Sequence, residues 1–202
     1  MKKSLVCILL LGAFAMLAPR PAAAQIAWDS PMLMPPKPPD GFGIFLVDVA
    51  GGGLGVLGMW RSPTYGFGLR GGVADANDND IGVFGAVDFN GELTRSTEEF
   101  PIDIDWVAGL GIGIVHGGLI SAPLGLSLGH DFAGDGVGFT PYVTPRVVLD
   151  ACLDCGRRQN DNDLNLDFAV DIGLDLTLTR ALRIRFGATL GDREGVGIGL
   201  VF

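Results

Sequence analysis

Two cysteines near residue 150 form the most compact pattern in this sequence that could carry chemistry. Cys152 and Cys155 stand in a Cys-Leu-Asp-Cys run, and such a pair can be a redox centre, half of a zinc site or a structural disulfide. A redox pair would need the first cysteine at the start of a helix, and no helical pattern follows it. Zinc would need two further ligands, and the chain has only two histidines. We therefore expect a disulfide between Cys152 and Cys155, and no metal site.

Two weaker patterns could bind a cation or catalyse hydrolysis. The run 75–80 alternates oxygen-bearing side chains as an EF-hand loop does, but it lacks that loop's glycine at the sixth position and glutamate at the twelfth. Ser127 and His130 are three residues apart, which on a strand places them on opposite faces, and His116 has no serine beside it. We interpret the run as a solvated turn, with weak divalent-cation bridging to lipid headgroups as the alternative. We expect no enzyme activity and no cofactor.

The largest set of reactive side chains consists of carboxylates and guanidinium groups on one face of the predicted strands. Its members are Arg70, Asp88, Glu92, Asp103, Asp105, Arg146, Asp150, Asp167, Asp171, Asp175, Arg183 and Arg185. Eight acids against four arginines predict an acidic interior. Such an interior could be a closed network of ion pairs or a narrow, weakly cation-preferring pore.

Strands are the elements that position this set. From Leu164 to Thr179 every even-numbered residue is large and apolar, and every odd-numbered residue is polar or small, which is the period of a strand with two different faces. The pattern recurs over residues 65–73, 81–93, 102–115, 124–129, 137–150, 182–190 and 196–202. The runs 42–50 and 54–60 are strand-like but alternate poorly. We therefore expect ten strands, with eight as the alternative.

The two faces of these strands predict the fold class. Glycines on the polar face suit a narrow lumen, and large residues at nearly every apolar position exceed what a small barrel interior could hold. An even number of strands fits closure with both ends on one side of a membrane. Residues 41–202 therefore predict an all-β, closed antiparallel transmembrane barrel. A soluble secreted carrier of small ligands, with its apolar face inward, is the alternative.

One hairpin is tight enough to predict a register. A three-residue turn at 179–181 makes the numbers of opposite residues sum to 360. Asp175 then faces Arg185, and Leu174 faces Phe186. A five-residue turn would instead pair Arg185 with Thr177.

The N-terminal residues read as targeting and linking segments. Residues 1–24 combine Lys2 and Lys3, an apolar run from Leu5 to Leu17 and three alanines before Gln25, which is the layout of a secretory signal peptide. Residues 25–40 include five prolines in the nine positions 31–39 and predict an extended periplasmic linker. A proline-recognition motif is the alternative. We expect no plug, because ten spans use most of the remaining chain.

The net charge of the chain limits the partners that it can bind. Loss of the signal peptide leaves 11 of the 14 basic residues against 23 acidic residues. Nucleic acid is therefore excluded as a partner, because phosphate binding needs a basic surface.

The last strand carries the one compact family signature. Val196, Ile198 and Leu200 alternate with glycine or valine before the terminal Phe202, and this resembles the C-terminal signature of bacterial outer-membrane β-barrel proteins, which their assembly machinery reads. The resemblance implies that Phe202 is the assembly signal, that the barrel-assembly machinery and outer-membrane lipid are partners, and that the protein reaches the outer membrane through the periplasm.

With both termini in the periplasm, six aromatic residues would form a girdle at one rim of the barrel. They are Trp60, Tyr65, Phe89, Trp106, Phe139 and Phe202. We expect an integral outer-membrane protein of structural or narrow-channel, porin-like type, with a monomer favoured. A lipid-modifying hydrolase of the outer membrane is the remaining alternative.

Overall fold

Ten strands make up the regular structure of the chain. The computed structural model describes residues 28–49, 53–76, 80–114, 117–132, 136–153, 163–179 and 181–202. The strands are β1 (Gly41–Val49), β2 (Gly53–Arg61), β3 (Phe67–Ala76), β4 (Asp80–Thr94), β5 (Asp103–Ile114), β6 (Gly118–Gly129), β7 (Gly138–Leu153), β8 (Asp163–Thr179), β9 (Leu182–Gly191) and β10 (Gly195–Val201). The prediction of ten strands is confirmed. The predicted signal peptide lies outside the described residues, as do His116 and Cys155. Within the described ranges, no helix is long and apolar enough to cross a membrane.

The strands close into a single antiparallel barrel. Each strand pairs with the next along the chain, and β1 pairs with both β2 and β10. We call the end where β1 begins at Gly41 and β10 ends at Val201 the terminal rim. The end where β9 stops at Gly191 and β10 begins at Gly195 is the far rim. Because the sheet closes on itself, none of these strands presents an unpaired edge.

The apolar face of the strands points outward. On β10, Val196, Ile198 and Leu200 are 46–54% exposed, while the residues between them are buried. Leu166 and Ile172 on β8 are exposed to the same degree. The soluble-carrier alternative, which needs the apolar face inside, is therefore wrong for the described strands.

The predicted register of the β8–β9 hairpin is confirmed. Asp175 lies opposite Arg185, Thr177 lies opposite Arg183, and Leu174 lies opposite Phe186. The pairing shifts only beyond Thr177, where an irregularity brings Thr179 opposite Leu182.

Aromatic side chains gather at the terminal rim, as predicted. Phe42 pairs with Trp60 and Phe67 pairs with Phe89 across neighbouring strands. The rings of Phe132 and Phe139 stack with centroids 4.7 Å apart. Tyr65, Phe89, Phe139 and Phe202 are all more than 40% exposed. These rings form a band around the outside of that rim.

The segment ahead of β1 does not behave as the predicted linker. Trp28, Met32, Leu33 and Met34 are at most 2% exposed, and every residue from 28 to 36 is buried. They lie inside the barrel, so the expectation that the barrel holds no plug is also wrong. We call Trp28–Pro36 the plug segment.

The plug segment explains why the first two strands alternate poorly in sequence. Phe45 and Val47 on β1 and Leu57 on β2 point inward, and they pack in one buried cluster with Trp28 and Leu33 of the plug segment. The inner face of these strands is apolar because it meets an apolar occupant. Both faces are therefore hydrophobic, and the period of two disappears.

Candidate functional site: the occupied lumen

The plug segment runs the length of the lumen. At the far rim, the hydroxyl of Ser30 donates to the backbone carbonyl of Glu194 at 3.5 Å. At the terminal rim, Lys37 Nζ lies 2.8 Å from the Asp103 carboxylate. The segment between these two contacts is not straight: it turns over residues 28–31 and bends at residues 36–37, and Leu33 and Lys37 have φ values of 52° and 51°.

Asp29 fixes the plug segment near the far rim. Its Oδ2 accepts from Arg146 Nη1 at 2.5 Å, and its Oδ1 accepts from Arg193 Nη1 at 2.7 Å. Arg146 Nη2 also donates to the backbone carbonyl of Asp29 at 2.9 Å. All three residues are buried, so Asp29 meets two guanidinium groups away from solvent.

Further along the plug segment, wall side chains donate to two more backbone carbonyls. Arg185 Nη1 donates to the Leu33 carbonyl at 2.8 Å, and Ser127 Oγ donates to the Met34 carbonyl at 2.7 Å. Proline keeps its carbonyl acceptor but has no N–H donor. A proline-rich segment therefore carries more acceptors than donors, and the arginines and the serine of the wall supply the missing donors.

The same arginines are tied to the wall. Arg185 makes two parallel hydrogen bonds to Asp175, at 2.7 and 2.8 Å. Arg146 Nε donates to Asp171 Oδ2 at 2.7 Å, and Thr189 donates to the other Asp171 oxygen at 2.5 Å. These carboxylates hold the guanidinium groups in the orientation that meets the plug segment.

Ion pairs also line the rest of the lumen. Arg61 and Arg70 both bind the carboxylate of Asp88, which is fully buried. At the far rim, Arg193 pairs with Asp150 and lies 3.5 Å from Asp167.

Arg95 closes the network at the terminal rim. It lies in the connection between β4 and β5 and contacts Asp105 at 2.5 Å and Glu92 at 3.0 Å. Burial alone would lower the pKa of Arg95, but the hydrogen bond and charge of Asp105 outweigh it and raise the pKa. Asp105 also accepts from the backbone N–H of Lys37 at 3.0 Å.

Ten of the twelve residues in the predicted charged set are buried inside the barrel. They are Arg70, Asp88, Asp103, Asp105, Arg146, Asp150, Asp167, Asp171, Asp175 and Arg185. Glu92 sits at the terminal rim with its side chain 57% exposed, and Arg183 is half-buried.

Five charged partners were not in the predicted set. They are Asp29, Lys37, Arg61, Arg95 and Arg193. With them, nine carboxylates face eight basic groups among the described residues, so the predicted acidic excess nearly vanishes. Asp29, Lys37, Arg95 and Arg193 lie outside the strands, where alternation assigns no face. Arg61 ends a strand that alternates poorly.

Glycines on the inner wall make room for the plug segment. A β-carbon at Gly109 would lie 2.5 Å from Trp28 Cη2, and one at Gly187 would lie 2.6 Å from Leu33 Cδ2. A β-carbon at Gly197 would come within 3.1 Å of Pro31. The small residues of the lumen therefore match particular bulky residues of its occupant.

The lumen holds more donors than the plug segment satisfies. Arg70 is 4% exposed, and its Nη1 and Nη2 have no hydrogen-bond partner among the described residues. The hydroxyls of Ser121 and Tyr142 are also buried without a hydrogen-bond partner among the described residues. The Arg70 guanidinium carbon lies 5.7 Å from the Trp28 ring centroid, so these donors border the space that the plug segment fills.

The other candidate chemistry does not assemble in the described part of the chain. Ser127 bonds to the plug segment and accepts from Thr144 at 3.3 Å, while the His130 ring packs edge-on against Phe132. No group of three or more potential metal ligands occurs among the described residues. Cys152 belongs to β7, and its pairing with Cys155 stays a prediction.

Comparisons with known proteins add little to this description. No protein-family model matches the chain, and no curated protein matches it. One solved structure that resembles it comes from the de novo design of transmembrane β-barrels. The two share 14% sequence identity with a TM-score of 0.37, and the match covers 83% of this chain and 98% of the designed one. At that identity and score, the likeness says nothing about function.

Proposed function

We propose that this chain is an integral β-barrel of the bacterial outer membrane, of structural or narrow-channel type, whose lumen is closed at rest by its own plug segment. The outward face carries the proposal. Leu46, Leu110 and Ile198 are about half exposed on three different strands, and similar residues surround the barrel. Soluble monomers rarely expose apolar patches above a few hundred Å². A bilayer would cover this face, and closure satisfies every strand without help from water.

The terminal rim supports an orientation. Aromatic side chains concentrate at membrane–water interfaces, where their rings reach both the hydrocarbon and the headgroups. The band that contains Trp60, Tyr65 and Phe139 would lie at such an interface. Together with the predicted signal peptide and Phe202, this band supports an outer-membrane location with the terminal rim toward the periplasm.

The filled lumen supports a closed resting state. The plug segment, the inward side chains of β1 and β2 and the ion pairs of Arg146 and Arg185 occupy the barrel axis. A channel would therefore conduct only after residues 28–36 move. We propose no catalysis, because Ser127 is bonded to the plug segment rather than to a histidine.

Fractionation of cells that produce the full chain tests this proposal. We expect the protein in the membrane fraction, resistant to extraction with alkaline carbonate, and migrating faster on SDS gels before boiling than after it. In planar bilayers the wild type should insert and conduct rarely. Recovery in the soluble periplasmic fraction would overturn the proposal. Frequent large openings of the wild type would leave a membrane barrel but overturn the closed resting state.

A further inference from the structure

The lumen has the features of a peptide-binding site, and its own plug segment is the ligand that occupies it. We infer that, when residues 28–36 withdraw, the lumen binds a proline-containing polypeptide segment with an acidic residue near its start, supplied by another protein. This inference rests on the proposed membrane barrel. It assigns a class of ligand to the lumen, so that the plug segment is more than a filling of the barrel.

The first support is that side chains of the wall bond to the backbone of the plug segment at three points. Arg146, Ser127 and Arg185 donate to the backbone carbonyls of Asp29, Met34 and Leu33, at 2.7–2.9 Å. Every polypeptide carries these carbonyls. A chain of different sequence that follows the same path could make the same three bonds.

The second support is the imbalance of donors and acceptors. Arg70 has two buried donor atoms without a partner, and Tyr142 and Ser121 add further unpaired hydroxyls among the described residues. An occupant rich in carbonyls suits these unpaired donors, because it offers them acceptors. A proline-rich segment has this composition, because proline keeps its carbonyl and has no N–H.

The third support is the specific end of the site. Asp29 Oδ1 and Oδ2 each accept from a different buried arginine, and charge-assisted bonds of this kind are stronger than neutral ones. Trp28, one residue earlier, occupies the space over Gly109 and Gly111. The site therefore selects an aromatic residue followed by a carboxylate, with proline beginning two residues later.

The fourth support is that the occupant can be exchanged. Between residues 28 and 40, no backbone-to-backbone hydrogen bond joins the described chain to the wall. The plug segment is not a strand of the sheet, so side chains alone hold it. None of the ten strand pairings includes a residue of the plug segment.

Current block in planar bilayers tests this inference on the full-length protein. The variant Asp29→Ala loosens the resident plug segment, and the probe is a synthetic peptide of residues 28–37 with blocked ends. We expect this peptide to suppress the openings of Asp29→Ala. A peptide with asparagine in place of the aspartate should need a concentration about tenfold higher for the same block, since it loses a charge-assisted contact. A peptide with alanine for its three prolines should also bind more weakly, because it brings unpaired N–H groups.

A second channel variant keeps the test decisive if Asp29→Ala misfolds. Trp28→Ala also loosens the plug segment and leaves the ion pairs intact. Adding Ser127→Ala to either variant should weaken the peptide's block several-fold without altering membrane insertion, because one carbonyl loses its donor.

The outcomes separate the inference from the proposed function. Equal block by acetate, or by a scrambled peptide, would overturn the inference in favour of a simple anion site or non-specific obstruction. Absence of any block in a conducting variant would also overturn it while leaving the membrane barrel standing. Failure of the wild type to insert would overturn the proposed function and this inference with it.

Discussion

Asp175 and Arg185 face each other across the β8–β9 hairpin and are joined by two parallel hydrogen bonds of 2.7 and 2.8 Å. Both residues are at most 2% exposed. The same guanidinium group also donates to the Leu33 carbonyl of the plug segment. One side chain therefore links the wall to its occupant.

Removing Arg185 should destabilise the barrel strongly. Arg185→Ala leaves a buried carboxylate and a buried carbonyl without their donor, and breaking one side of a buried pair costs about 3–5 kcal/mol. Asp175→Ala should cost a similar amount, and the double variant should cost less than the sum, because it leaves no unpaired charge. Urea unfolding of the protein in detergent or lipid measures all three free energies.

Arg183 provides the matched control for that cycle. It lies on the same strand opposite Thr177 and is half-buried, with no ion pair among the described residues. Arg183→Ala should therefore change the free energy of unfolding by less than about 1 kcal/mol. Strictly additive effects of the Asp175 and Arg185 substitutions would contradict an energetic coupling between them.

Loss of the Asp29 carboxylate should open the lumen. Asp29→Asn keeps the shape of the side chain but removes the charge that faces Arg146 and Arg193, so the plug segment should leave more often. We expect the open fraction in planar bilayers to rise by about tenfold or more, the factor that corresponds to 1.4 kcal/mol. Asp48→Asn is the control, because Asp48 is exposed on the outward side of β1. An unchanged open fraction for Asp29→Asn would show that the contacts of the Asp29 carboxylate with Arg146 and Arg193 do not hold the plug segment.

The predicted disulfide should contribute little stability. Cys152 and Cys155 enclose a very short loop, so the cross-link removes less entropy from the unfolded chain than a typical disulfide, which contributes about 2–4 kcal/mol. Cys152→Ser with Cys155→Ser should lower the free energy of unfolding by less than that amount. Maleimide labelling of both thiols in the exported protein, without prior reduction, would contradict the pairing.

The strands of the barrel could be predicted from the sequence, but the segment that fills its lumen could not. Strand β8 separates large apolar residues from polar ones without exception, so its two faces, its partner and its register could all be predicted. The pattern failed at β1 and β2, because Phe45 and Leu57 face an apolar occupant. Apolar and polar side chains alternate along a strand only when the two faces of that strand meet different surroundings.

The plug segment was missed for a related reason. The run 31–39 holds five prolines in nine residues and predicts an extended chain without internal hydrogen bonds, whereas the structure bends this part of the chain and buries residues 28–36 in the lumen. The donors that distinguish the two cases are Arg146, Ser127 and Arg185, which lie more than 90 residues further along the chain. No local pattern could join them to residues 28–36.

The glycines of the inner wall offer a test that leaves every charge in place. A β-carbon at Gly187 would come within 2.6 Å of Leu33 Cδ2, so Gly187→Val should push the plug segment from its seat. A β-carbon at Gly58, on the exposed side of β2, would meet only a backbone oxygen at 3.6 Å, and Gly58→Val should be tolerated. We expect both variants to insert and to show heat-dependent migration on SDS gels, because neither substitution disturbs a strand pairing. Only Gly187→Val should conduct more than the wild type, and the synthetic peptide of residues 28–37 should block it poorly, since the same valine obstructs the peptide's leucine. If Gly187→Val and Gly58→Val conduct equally, Leu33 does not occupy the lumen as described, and the plugged resting state is wrong.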